Sequence, residues 1–287
     1  MPKLRLSRRS ALGLAPAYAA VAALFTIASP NASAQTAQAV TLRFAAEFDG
    51  KPFDCSATIA GVGVGKSTVT PIDFRLYVSN IQLVRADGAL VPLALEQDGK
   101  WQHRDLALLD FEDGAGKCNT GTPDTRGEVT GRVPPGDYVG LRFSLGVPFS
   151  ENHKNAALAP APLAQSALSW NWQQGYIFLR FEGGTPAGRY EVHLGSTGCT
   201  GTTGNITACA RPNRPVVELP AFDAATQTVI FDVKQLLAGS DITSNAGDSI
   251  GCASAATDED CAGPFAQFGL DLQSGAMTGE QDVFRAE

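Results

Sequence analysis

Residues 74–84 read FRLYVSNIQLV, and this stretch decides the fold class of the chain. Apolar Phe74, Leu76 and Val78 alternate with other side chains, which is the period-two pattern of a strand that buries one face. Similar runs recur at 40–48, 138–145, 176–181, 189–194 and 228–233. Gly, Pro, Asn and Asp bound these runs, which indicates short strands in half-buried antiparallel sheets.

The segments between these runs are long and contain little helical periodicity. Short helical pieces are predicted only at 163–169, 234–237 and 265–268. The longest loops are predicted at 112–128, 148–168, 195–215 and 238–263. Loops of this length in a compact domain are usually functional or held by disulfides. The sequence therefore predicts an all-β protein, an antiparallel β-sandwich with long disulfide-pinned loops.

The N-terminus has the three parts of an export signal. Basic residues come first, an apolar run follows at 11–28, and Ala32-Ser33-Ala34 form a small-residue exit. We expect residues 1–34 to be a signal peptide and 35–287 to be a single domain. The Arg8-Arg9 pair fits either a twin-arginine or a general secretory signal. No later segment is apolar enough to span a bilayer, so we expect a periplasmic or cell-surface protein.

The charge of the exported part excludes several kinds of partner. Four of the 22 basic residues and none of the 29 acidic residues lie in 1–34, so the remainder carries a formal net charge of −11. Nucleic acid and anionic lipid are therefore poor partners, whereas cations are attracted.

All six cysteines follow the predicted cleavage site, at positions 55, 118, 199, 209, 252 and 261. An even number of cysteines in an oxidising compartment favours disulfide bonds. The close pairs Cys199/Cys209 and Cys252/Cys261 would staple loops, which leaves Cys55 and Cys118 for a long-range bridge. Spacing alone leaves other pairings open. It fits neither a zinc finger nor a C-x-x-C-H haem site.

The chain contains only three histidines, and imidazole is the commonest transition-metal ligand. His153 lies in GVPFSENHKN (146–155), directly after a predicted strand, and His193 ends the strand-like RYEVHLG before the loop to Cys199. Two of three histidines at strand-to-loop junctions favour a shared site. His103 lies in KWQHRDLALLDFE (100–112).

The three tryptophans lie near the histidine-bearing segments. Trp101 precedes His103 by two residues, and Trp170 and Trp172 lie in SWNWQQGYIF (169–178). Residues i and i+2 of a strand face the same side. We therefore expect Trp170 and Trp172 to share one strand face, and Trp101 to neighbour His103.

Several blocks of sequence together resemble a known family. LLDFEDG (108–114), GVPFSENHKN (146–155), PAPLAQSALSWNWQQGYIFLRFEG (160–183), VHLGSTGC (192–199) and the terminal DEDC (258–261) follow one another as in the MbnP-like family. Its members are also called metallo-mystery pair four-Cys motif proteins. The resemblance covers nearly the whole mature chain.

The resemblance implies an exported copper-binding protein that is encoded beside a di-haem enzyme related to cytochrome c peroxidase and MauG. Such a partner oxidises a tryptophan near the copper site to kynurenine. By this resemblance His153 and His193 are copper ligands, His103 is a candidate third ligand, and the candidates for modification are Trp101, Trp170 and Trp172. The copper would be Cu(I) or Cu(II).

Three classes of function follow from these observations. The first is a copper-binding protein with no catalysis of its own. The second is an enzyme that uses the same loops, either a copper-dependent oxidoreductase or a His/Ser hydrolase. The third is a structural or adhesive β-sandwich in which the histidines are incidental. If substitution of His153 or His193 abolishes copper binding, the first class is favoured over the third.

Overall fold

The computed structural model describes residues 36–247 and 250–287. The predicted signal peptide at 1–34 lies outside the described residues. Strands dominate the described ranges, which confirms the all-β prediction. Within these ranges, no helix has the length and apolar character needed to cross a membrane.

Eighteen strands occur in the described residues, numbered here in chain order. They are β1 (Gln38–Phe48), β2 (Lys51–Pro52), β3 (Ile59–Val62), β4 (Ser67–Arg85), β5 (Leu90–Pro92), β6 (Ala94–Leu95), β7 (Gln102–His103), β8 (Leu106–Asp110), β9 (Glu128–Val133), β10 (Tyr138–Leu145), β11 (Leu179–Thr185), β12 (Gly188–Leu194), β13 (Thr197–Thr202), β14 (Asn205–Arg211), β15 (Val216–Leu219), β16 (Thr228–Asp232), β17 (Gly251–Cys252) and β18 (Phe284–Ala286). The helices are short: α1 (Phe149–Asn152), α2 (Val233–Leu236), α3 (Ala262–Gln267) and the 3-10 turns Ala156–Leu158, Ser166–Leu168 and Glu259–Cys261.

The strands form two main sheets and one separate hairpin. The smaller sheet has the order β18-β16-β1-β9-β6, with β2 paired to β1. The larger sheet has the order β15-β10-β4-β11-β12-β17, and β3, β5 and β8 also pair with β4. Most pairs are antiparallel, but β1 pairs with β16 and β12 with β17 in parallel. These partners are distant in sequence, so no hairpin turn imposes an antiparallel direction on them.

Strand β4 contains the run FRLYVSNIQLV and lies at the centre of the larger sheet. Phe74, Leu76 and Val78 point into the main core, as the alternation predicts. Tyr77, on the opposite face, belongs to a second apolar cluster. Because both faces are covered, β4 is buried over most of its length.

The main core lies between the two sheets. The ring of Phe74 on β4 packs 4.9 Å from that of Phe231 on β16, and Phe44 on β1 meets Phe143 on β10 at 5.7 Å. Each pair joins one sheet to the other. Burial of one such aromatic side chain contributes about 1.5–3 kcal/mol. The predicted β-sandwich is therefore confirmed.

The second cluster covers the outer face of the larger sheet. Its fully buried members are Tyr77, Leu106, Leu108, Val147, Leu163, Leu168, Tyr176 and Phe178. Most of them come from the connection between β10 and β11. This cluster anchors that long connection, which carries His153, against the rigid sheet.

The connection departs from the sequence prediction at its end. A strand was expected from Tyr176, but β11 begins at Leu179. Residues 168–177 fold back on themselves instead, because Ile177 N–H donates to Leu168 O and Trp170 N–H donates to Gly175 O. Those bonds take the backbone groups that a longer strand would have offered to the sheet.

Three disulfide bonds pair all six cysteines: Cys55–Cys118, Cys199–Cys209 and Cys252–Cys261. This is the pairing that the spacing favoured. Cys199 and Cys209 stand opposite each other in the β13–β14 hairpin. The loops of the sandwich are thus pinned at three places.

Candidate functional site

His153 ends helix α1 at the start of the long connection. Its Nε2 lies 3.2 Å from Asn152 Nδ2 and 3.3 Å from Cys209 Sγ. Its Nδ1 is buried near the backbone of Trp172 but makes no hydrogen bond of good geometry. The ring of Phe149 packs edge-on against the imidazole at 5.2 Å. Because the amide nitrogen of Asn152 only donates, Nε2 is the acceptor of the neutral ring and Nδ1 carries its proton.

Burial also controls the charge of this imidazole. It lowers the pKa of His153, and the nearby backbone of Trp172 offsets only part of the shift. The neutral form is therefore favoured at neutral pH. Neutral imidazole is the form that binds a metal ion.

A cavity of about 410 Å³ opens beside His153. Its walls come from the end of α1, the turn after Ser169 and the tip of the β13–β14 hairpin. The lining residues are Asn152, His153, Lys154, Asn155, Ala156, Ala157, Ser169, Asn171, Trp172, Gly175, Tyr176, Thr203 and Gly204. Trp172 is one of these lining residues, and it is 43% exposed to solvent.

Two residues hold the floor of this cavity in place. Asn152 Oδ1 accepts a hydrogen bond of 2.8 Å from the backbone of Tyr176. Gly175 adopts φ +81°, and a Cβ at this position would lie 2.4 Å from Asn152 O. Only glycine permits so close an approach in this conformation. The connection is therefore clamped to the residue before His153.

A buried carboxylate lies next to the cavity, and a tyrosine is among the residues that line it. The buried carboxylate of Glu151 accepts Arg104 Nη1 at 2.8 Å and Lys154 Nζ at 2.7 Å. Burial and the charge of Glu151 raise the pKa of Tyr176 to about 12. The phenol, whose oxygen is buried without a hydrogen-bond partner, therefore stays protonated at neutral pH.

The two tryptophans of the W-x-W block do not lie on one strand face, so that prediction was wrong. They occupy a turn that Asn171 Oδ1 closes by accepting the N–H groups of Gln173 and Gln174. Trp170 packs on Gly195, where a Cβ would lie 2.5 Å from the indole ring. Trp172 instead faces the His153 cavity.

Trp101 lies elsewhere. It is half-buried against the second apolar cluster, and Lys100 Nζ stands 4.7 Å from its ring centroid. His103 follows on β7 and lines a different cavity of about 320 Å³. Trp101 and His103 are thus sequence neighbours outside the cavity that contains His153.

His193 lies on β12 in a row of charged side chains on the outer face of the larger sheet. Its Nε2 is 3.0 Å from Glu182 Oε1, and its Nδ1 is 3.7 Å from Glu191 Oε1. Arg180 and Arg189 also pair with Glu182. Burial of Glu182 opposes its ionisation, but the hydrogen bond from His193 and the two guanidinium charges outweigh it and lower its pKa.

Two groups of potential metal ligands occur among the described residues, with the donor atoms of each within 4.8 Å of one another. One is His153 with Cys199 and Cys209, and the other is His193 with Glu182 and Glu191. The two histidines therefore have separate surroundings. The carboxylates of the second group already pair with positively charged arginines. This pairing disfavours the binding of a metal cation there. The shared site expected for His153 and His193 stays a prediction.

The sequence reasoning missed several of these neighbours. Glu191 precedes His193 by two residues, so strand alternation alone places both on one face. Glu182 needs the register of β11 against β12, which the sequence does not supply. Asn152 and the tip of the β13–β14 hairpin reach His153 through tertiary packing and carry no local signal.

Two comparisons with known proteins identify the same family. The family model named MbnP matches residues 37–254. The solved structure of MbnP from Methylosinus trichosporium is similar to this chain, with a TM-score of 0.79 and 36% sequence identity. That match covers 87% of this chain and 98% of the other. No curated protein sequence matches.

Proposed function

The chain belongs to the MbnP family, and from this premise we propose that it is an exported copper-binding protein whose site is built around His153 and Trp172. It acts by binding and carries out no catalysis of its own. The family resemblance supports copper as the ligand and a di-haem enzyme as the partner. The acidic surface supports attraction of a cation.

The observation that carries the proposal is the shared cavity of His153 and Trp172. The imidazole is buried and favours its neutral form, in which Nε2 carries the lone pair and accepts from Asn152 Nδ2. Copper prefers such a nitrogen donor and would take the place of this hydrogen bond. The residues present therefore fit the metal that the family implies.

Trp172 is our choice for the tryptophan that is oxidised. It is the member of the W-x-W block that lines the His153 cavity, and its exposure lets a partner protein reach it. Trp170 is packed on Gly195, and Trp101 lies under Lys100. In the oxidation the indole takes up two oxygen atoms from peroxide or dioxygen. Hydrolysis then releases one ring carbon as formate and leaves an aromatic amine.

That amine would complete a nitrogen donor set with His153. A ligand formed only after oxidation makes copper binding depend on the partner. His193 would join this donor set only by giving up its hydrogen bond to Glu182. His103 is not part of the proposed donor set. Asn152 would act as a positioning residue, since it holds the backbone of the W-x-W turn against His153.

Coexpression tests the proposal. The exported chain is purified from cells with and without the di-haem partner, and its tryptophan-containing peptides are mapped by mass while copper is measured by elemental analysis. We expect kynurenine at position 172 and copper only in the sample with the partner. A Trp172→Phe chain should lack both, and a Trp101→Phe chain should retain both. Kynurenine at Trp101 or Trp170 would contradict the choice of Trp172.

A further inference from the structure

We propose that the disulfide Cys199–Cys209 gates a second mode of copper binding at His153, in which this imidazole and the two cysteine thiolates bind Cu(I) after the bond is reduced. His153 Nε2 already lies 3.3 Å from Cys209 Sγ. The three donor atoms lie within 4.8 Å of one another. This inference does not require that the oxidised protein bind copper.

The oxidised cysteines are poor ligands, because the thiolate is the form of sulfur that binds metals. Thiolates are soft donors and select Cu(I). Reduction therefore turns an imidazole beside a disulfide into a donor set of one nitrogen and two sulfurs. Asn152 Nδ2 lies 3.2 Å from the Nε2 atom that faces Cys209, so Cu(I) would displace this hydrogen bond when it binds.

The position of the bond in the fold favours its selective reduction. It crosses the β13–β14 hairpin, which forms a two-stranded sheet apart from the two sheets of the sandwich. Cys209 is half-buried. The four cysteines of the other two bridges are each 2% exposed or less, so a dithiol reaches them far less readily.

The hairpin backbone is irregular on both sides of Cys199. Gly198 and Gly201 adopt φ of +64° and +137°, angles that glycine takes without the steric penalty of other residues. The register of the hairpin changes between Thr200 and Gly201. The hairpin pairs with neither sheet of the sandwich, so its local geometry is not imposed by a neighbouring strand.

The chemistry is a thiol–disulfide exchange followed by metal binding. A dithiol reductant is oxidised to its own disulfide, the Cys199–Cys209 bond breaks, and the two sulfurs accept two electrons and two protons. Cu(I) then displaces those protons and binds both thiolates and His153. Exchange with a disulfide oxidant, which is itself reduced to its dithiol, re-forms the Cys199–Cys209 bond and releases the ion.

The test compares Cu(I) binding by the exported chain before and after anaerobic treatment with dithiothreitol and its removal. Competition with bathocuproine disulfonate gives the affinity, and alkylation with mass mapping identifies the opened bridge. We expect alkylation at Cys199 and Cys209 alone, a gain of about one Cu(I) per chain and thiolate-to-copper charge-transfer absorption. His153→Ala should weaken the reduced site by about 10–100-fold.

A Cys199→Ser/Cys209→Ser chain should show no gain on reduction. The proposal is overturned if reduced wild-type binds no more Cu(I) than the oxidised chain, if the double variant gains as much, or if another bridge opens first. The comparison of reduced with oxidised chain and the identity of the opened bridge are both measured on the wild-type chain. These two outcomes therefore do not depend on whether the double variant folds. The two proposals are separated by using chain exported with the di-haem partner. If that chain binds copper only after reduction, the proposed function is refuted and this inference stands; if it binds copper only before reduction, this inference is refuted and the proposed function stands.

Discussion

His193 Nε2 on β12 lies 3.0 Å from Glu182 Oε1 on the neighbouring strand β11, and both side chains are buried. Arg180 and Arg189 pair with the same carboxylate. This arrangement gives His193 a structural partner within the sheet itself. It separates the role of His193 from that of His153, which has an unpartnered nitrogen.

Removing the charge of Glu182 should destabilise the protein strongly. Glu182→Gln leaves two guanidinium groups with a weaker partner, and we expect a loss of about 3 kcal/mol in the free energy of unfolding. Urea denaturation measures it. Glu218→Gln is the matched control, because Glu218 pairs with Arg142 at the exposed surface, and its effect should be below about 1 kcal/mol. Equal effects of the two variants would contradict the buried network.

Asp110 should make stability depend on pH. Burial raises its pKa to about 8, against about 3.9 for an unfolded aspartate. Between these values the folded chain keeps a proton that the unfolded chain has lost. Asp110 therefore makes the free energy of unfolding fall as pH rises across this window, by up to about 1.4 kcal/mol per pH unit.

The Asp110→Asn variant should remove this slope. Urea denaturation at several pH values between about 5 and about 8 compares it with wild-type. Asp124→Asn serves as the control, since Asp124 pairs with Lys100 at the surface. A wild-type slope that persists unchanged in the Asp110→Asn chain would show that Asp110 is ionised in the folded state.

The disulfides should differ in their contribution to stability. Cys55–Cys118 spans 63 residues and Cys199–Cys209 spans 10. In the chain-entropy account, removal of the long bridge costs about 4 kcal/mol and of the short one about 3 kcal/mol. Double Cys→Ser variants and chemical denaturation measure both values. If removal of the short bridge lowers the free energy of unfolding more than removal of the long one, native contacts and not loop closure determine which bridge contributes more.

Gly175 should be required for the shape of the site. Gly175→Ala forces a Cβ to within 2.4 Å of Asn152 O at φ +81°. We expect a loss of about 1–3 kcal/mol in stability together with a lower copper content. Gly88→Ala is the control, because Gly88 lies outside the His153 cavity and has φ +85° but no atom within 4 Å of an added Cβ. If Gly88→Ala lowers the copper content as much as Gly175→Ala, the clamp on Asn152 is not the cause.

The sequence contains enough information for the sandwich but not for the site. Alternation in β4 and the other runs predicts strands, since burial of one face imposes a period of two. The parallel pairing of β1 with β16 produces no recognisable sequence pattern, because the partners are distant in the chain. The turn at Trp170 and Trp172 was mistaken for a strand, since Asn171 and Gly175 close it by hydrogen bonds that alternation does not reveal.

The histidines illustrate the same limit. Their positions at strand-to-loop junctions were visible in the sequence, and both lie at ends of elements in the structure. Which groups face them depends on register and on packing between distant segments. The neighbours Glu182 and Cys209 therefore emerged only from the three-dimensional arrangement.

If His153 holds the copper, the copper content of histidine variants shows it most directly. Wild-type, His153→Ala, His193→Ala and His103→Ala chains are exported from cells that contain the di-haem partner, and elemental analysis gives copper per chain. We predict that His153→Ala retains less than about a tenth of the wild-type copper and that His103→Ala retains all of it. Wild-type copper in the His153→Ala chain would contradict the account.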